Sequence, residues 1–180
     1  MKIAIRLSAV LVIGFAQPGA AADALDVLKG RPLTTVTYAP PDLGVMTMGA
    51  AGFGLLGGLA AQHDGRTIVR ENAVPDPALQ LQEKLTALLS ARLQPSAINS
   101  ITGRPTKLDD VASLSRDAGK DQVILDVETS GWMFMYLLFS PSRYRVVYVA
   151  DARVIDAATA KRVARTSCTY RSDEKGAADL

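Results

Sequence analysis

At 180 residues the chain is sized for one domain with a real core, and its charge is nearly balanced, with 20 Lys plus Arg against 18 Asp plus Glu. Two of the cations, Lys2 and Arg6, lie in the N-terminal segment, so the remainder is formally neutral and lacks the basic excess of a nucleic-acid-binding domain. A single cysteine and a single histidine exclude a disulfide framework and any multi-histidine metal site.

Residues 1–22 have the layout of a cleavable export signal. Lys2 and Arg6 precede an apolar stretch from Leu7 to Ala16, Pro18-Gly19 breaks the helix, and Ala20-Ala21-Ala22 offers small residues for the peptidase. The apolar stretch is shorter than the roughly 20 residues a membrane span takes, so cleavage is expected, with a periplasmic product beginning at Asp23. No Cys follows the signal to carry a lipid, and no twin arginine precedes it. Export before folding makes a preloaded cofactor unexpected, and none is assigned.

Thr34 to Tyr38, ahead of Pro40-Pro41, reads as a first strand. Leu43 to Ala61 follows without a charge and with six glycines, a candidate for membrane contact or for a buried segment. Asp76-Pro77 predicts a capped helix, with Ala78, Leu81, Leu85, Leu88 and Leu89 on its apolar stripe and its end before Pro95. Ala97 to Thr102 is a short second strand. Thr106-Lys107-Leu108-Asp109 predicts the start of a helix that Gly119 closes.

From Gln122 the period changes to two. Val123, Leu125 and Val127 form an apolar face, and Ile124, Asp126 and Glu128 a mixed one. Arg143 to Ile155 continues the alternation after a turn at Ser140-Pro141-Ser142. Asp156 to Lys161 is a second turn, and Arg162 to Tyr170 a last strand. The expected fold is α+β: helices packed on one face of a mostly antiparallel sheet that ends in a three-strand meander. Residues 23–170 make one domain and 171–180 a flexible tail.

Gly52-Phe53-Gly54-Leu55-Leu56-Gly57 matches the dinucleotide fingerprint, but no second strand–helix unit follows and a glycine-rich run produces the match by chance. His63 precedes Asp64-Gly65 and reads as a solvated turn residue. Asp126 and Glu128 share a strand face and form a conceivable acid–base pair for a hydrolase. A solvent-facing stripe that pairs with Arg145 and Arg153 accounts for them better. Cys168 reads as a small buried hydrophobe. Trp132 to Phe139 stands out. It is apolar throughout where its neighbours alternate, so Trp132, Met133, Phe134, Met135, Tyr136 and Phe139 are the candidate partner surface.

Two stretches, Arg70-Glu71-Asn72-Ala73-Val74-Pro75-Asp76-Pro77 and the run from Trp132 to Tyr170, resemble exported proteins of the bacterial cell envelope. That resemblance implies an envelope location and an α+β fold, and no activity. The expected function is a non-enzymatic binding or assembly module for an envelope protein or lipid, with no nucleic acid involved. A membrane-associated component using 43–61 and a hydrolase using Asp126 and Glu128 are the alternatives.

Overall fold

The computed structural model describes residues 25–39, 41–46, 65, 67–105, 110–137 and 140–172. The export signal, residues 47–61 of the glycine-rich run, the Gly52–Gly57 motif, His63, Phe139 and the tail from 173 lie outside them.

Six strands form one sheet: β1 (Leu33–Tyr38), β2 (Gly44–Met46), β3 (Ile98–Arg104), β4 (Val123–Leu137), β5 (Ser140–Asp156) and β6 (Lys161–Arg171). The order is β3-β1-β4-β5-β6, with β2 beside the distal part of β4. Most paired residues are antiparallel, because the long β4–β5 and β5–β6 ladders dominate. The three short ladders, β1 with β3, β1 with β4 and β2 with β4, are parallel.

Helix α1 (Pro77–Leu93) begins where the sequence predicts, with the Asp76 side chain accepting the Ala78 N–H at 2.9 Å and Pro77 opening the helix. Gln94, left-handed at φ 48°, ends it before Pro95. Leu88 departs from the expected stripe. It lies on the flank and is 68% exposed, while Ala78, Leu81, Leu85, Leu89 and Leu93 pack inward. Helix α2 (Val111–Ala118) is capped by Asp110, which accepts the Ser113 N–H at 3.2 Å, and the expected capping residues Thr106 to Asp109 lie outside the described residues. Gly119, at φ 94°, closes it as expected. The expected turn at Ser140-Pro141-Ser142 is already strand, since β5 starts at Ser140.

The helices do not share a face. α1 packs on Leu33, Val123, Leu125, Val127 and Val154, whereas Leu114 of α2 packs on Val36, Ile124 and Ile155. Sheet order supplies the reason. After β1 and β2 the chain passes through α1 to β3 on the outer side of β1, then returns across β1 to β4 through α2. Right-handed crossovers that advance in opposite directions put their helices on opposite faces. Residues 123–129 of β4 are consequently buried on both sides.

The N-terminal entry is pinned by Arg31. Its guanidinium donates to the carbonyls of Asp121, Lys120 and Gln122 and pairs with Asp156 at 2.8 Å, tying β1, the α2–β4 loop and the β5–β6 turn together.

Candidate functional site

The apolar run sits beyond a break in the β4–β5 register. Thr129 pairs with Ala150 and Gly131 with Val149, so Ser130 is an extra residue on β4. Unbroken alternation through Ser130 would put Trp132 on the face of Asp126 and Glu128. With it, Trp132 pairs with Tyr148 and joins the α1 face. The two rings meet edge to face, centroids 6.3 Å apart and planes at 89°. Phe134 pairs with Val146 on that face, and Tyr170 of β6 pairs with Tyr148.

A polar cluster underlies the aromatic face. Thr129 Oγ1 donates to Asp76 Oδ1 at 2.6 Å and lies 2.9 Å from the Tyr148 hydroxyl, which approaches the same carboxylate at 3.5 Å. Burial, with the Asp76 charge added, pushes the Tyr148 hydroxyl well above the ordinary tyrosine range, so it stays protonated. Asp76 thus caps α1 and fastens that cap to β4 and β5. Sequence reasoning found the cap and missed this link, whose members stand 53 and 72 positions apart.

On β4 one core cluster stops at Val127 and the other at Ile124. Thr129 is 4% exposed, but Gly131, Trp132, Met133 and Phe134 are only half-buried. Met135 and Tyr136 continue the strand, paired with Arg145 and Tyr144. β2 covers one edge of this segment, Gly44 to Met46 pairing with Met133 to Met135. The structure therefore places Trp132 and Phe134 on one face of this strand and Met133 on the other, between the buried Tyr148 of β5 and Val45 of β2 and beyond the two core clusters.

Asp126 and Glu128 are not the expected solvent-facing stripe. They are 0% and 3% exposed, because α2 and the flanking strands cover the face that period-two alternation leaves to water. Arg153, itself buried and directly opposite Asp126, donates Nε to Asp126 Oδ2 at 2.7 Å, and a second guanidinium nitrogen pairs with the same oxygen. Glu128 lies 4.0 Å from Arg153. The Tyr38 hydroxyl donates to Asp126 Oδ1 at 2.7 Å. The expected pairing with Arg153 is present, whereas Arg145 sits opposite Met135, far along the strand.

Burial opposes the Arg153 charge, but Asp126 more than offsets it and the guanidinium is held further toward its charged form. Burial and then the Asp126 charge raise the Tyr38 hydroxyl far above its ordinary value. Both Asp126 oxygens are engaged by groups that remain protonated. The cluster is built to hold charge inside the sheet, and offers no open acid–base pair to a substrate.

Cys168 is half-buried opposite Ala150, and burial raises its thiol, which makes it a poor nucleophile. Among the described residues no group of His, Cys, Asp and Glu is placed to hold a metal ion. No described helix is long and apolar enough to cross a membrane.

No family model matches the sequence, and comparison with curated proteins also finds no match. Three solved structures are similar in part. The lipoprotein GNA1162 of Neisseria meningitidis is 14% identical with a TM-score of 0.29, over 77% of this chain and 82% of that one. A putative neuraminyllactose-binding hemagglutinin homologue of Helicobacter pylori is 8% identical with a TM-score of 0.31, over 79% and 66%. The C-terminal domain of LpoB from Salmonella enterica is 12% identical with a TM-score of 0.24, over 87% and 98%. These scores lie below the level of a shared fold, so the functional reading rests on the chain's own residues.

Proposed function

We propose that the protein is a non-enzymatic binding or assembly module of the bacterial cell envelope, exported by residues 1–22, which holds an apolar partner on the distal part of β4 and β5. The observation that carries this reading is the half-buried Trp132-Met133-Phe134 segment on a strand that has left both core clusters behind. Trp, Met and Phe in such a position cost stability in water and gain it on contact, which is the signature of an interaction surface. Of the two carboxylates a hydrolase would need, Asp126 is engaged by Arg153 and Tyr38, and Glu128 is buried 4.0 Å from Arg153. The strand β2 also claims residues 44–46 of the glycine-rich run, leaving 47–61, shorter than the roughly 20 residues of a membrane span.

The test uses protein purified from cells expressing the full chain. Its mass is expected to begin at Asp23, and it should sediment with envelope extract. The pair Trp132→Ser and Phe134→Ser should abolish that recovery while leaving the melting temperature within a few degrees of wild type, since neither residue belongs to a core cluster. Full recovery of the double variant contradicts the assignment.

A further inference from the structure

The two edges of the sheet are built differently. β6 carries Lys161, Arg162, Arg165 and Arg171 and no acidic residue, the kind of charge that keeps a foreign strand away. β3, at the opposite edge, has neither a charge nor a proline from Ile98 to Gly103. Ile98 is 57% exposed there. No described strand lies beyond β3, and its one irregularity, an extra residue between Ile101 and Arg104, falls at the end of the uncharged stretch.

Backbone polarity along β3 follows from its register. Leu33 donates its N–H to the Ala97 carbonyl at 2.9 Å and is the register partner of Ile98. In a parallel ladder this turns the polar groups of Asn99 and Ile101 toward β1 and those of Ile98 and Ser100 outward, and Thr102, the first residue of the bulge that follows Ile101, is also unpaired with β1. These three positions therefore present N–H and C=O groups as a template for another strand.

We propose that a second copy of this chain docks there, β3 against β3, antiparallel about a two-fold axis at Ser100. An edge of unpaired amides accepts only an extended strand. A copy of β3 meets it without like-charge repulsion, whereas β6 opposed to itself sets arginine and lysine side by side. A β3–β6 contact would be head-to-tail and would build an open filament, while β3–β3 closes as a dimer. Centring the pair on Ser100 puts Ile98 opposite Thr102 of the partner subunit. It exchanges about six backbone hydrogen bonds and covers the exposed isoleucine. β1 separates the interface from β4 and pairs only with Val123 to Asp126, short of the apolar segment, so the dimer leaves both of its apolar segments accessible.

Sedimentation equilibrium of the purified protein tests this. Wild type should show a concentration-dependent monomer–dimer equilibrium. Ser100→Pro removes an outward N–H that no described strand uses, at an edge position where proline is tolerated. It should weaken the dimer by about tenfold or more with an unchanged melting temperature. Ser100→Lys, which adds the missing edge charge, should do the same and serves if the proline variant misfolds. A wild type that stays monomeric throughout, one that forms open-ended assemblies, or a dimer unmoved by both variants overturns the proposal.

Discussion

Arg153 and Asp126 face each other at the centre of the sheet, 4% and 0% exposed, and each makes the other tolerable. A lone buried charge is costly, so loss of one partner does more harm than the pair's net worth suggests. Asp126→Ala should cost about 3–5 kcal/mol in chemical denaturation, and Arg153→Met a similar amount. The double variant Asp126→Leu with Arg153→Met should recover much of that loss, because no uncompensated charge remains beyond Glu128. Additive losses would show that the two side chains act separately.

Asp156 makes a pH-dependent contribution of known sign. Burial works to raise its carboxyl, but bonds from Thr159, Arg31 and the Ala158 N–H outweigh it, and the folded-state value is lowered. A carboxylate depressed on folding stabilises the protein above its unfolded value of about 4, and that contribution fades as pH falls through the folded value. Asp156→Ala should therefore cost about 1–2 kcal/mol near neutral pH, and the gap to wild type should narrow in acid. A gap that stays constant from neutral pH into strong acid would contradict the linkage. None of this was legible beforehand, since Arg31 and Asp156 meet only through the fold.

Among the elements, those with local signals were readable and those set by distant pairing were not. Asp76-Pro77 and Gly119 announce a helix start and a helix end through chemistry within a few residues, and both hold. β1 was likewise visible from Thr34 to Tyr38. The alternating strand–helix–strand–helix–strand order from β1 to β4 also carried the sign of parallel pairing. That order went unused, and it explains why α1 and α2 take opposite faces. The alternation in β4 misled about Asp126 and Glu128, because a strand covered on both faces can carry charge that pairs internally.

Stability should follow burial in the same way. Val146 of β5 is only half-buried, with its N–H bonded to Ser172 Oγ at 3.0 Å. Leu125 is 1% exposed and packs in the α1 cluster. Leu125→Ala should cost about 2–5 kcal/mol. Val146→Asp, on the distal and less buried part of β5, should be the milder change. Thermal melts that rank them the other way would move the core toward the distal strands.

At the scale of the whole molecule, α1 and α2 pack on opposite faces of the sheet, and β4 and β5 extend past the two core clusters. The sequence singled out Trp132 to Phe139 because its hydropathy stops alternating. What it did not reveal is the extra residue at Ser130, which turns Trp132 onto the face of Tyr148, above the Thr129 and Asp76 cluster. Met135 and Tyr136 lie on the same strand, and Phe139 lies outside the described residues. Trp132 is the only tryptophan in the chain, so its emission reports on this surface without interference. In the protein purified from cells expressing the full chain, the account expects emission that a soluble quencher reduces in part, and a blue shift once lipid vesicles or envelope extract are added. A blue emission that no quencher reaches, unchanged by either addition, would show Trp132 sealed in a core and contradict the binding surface.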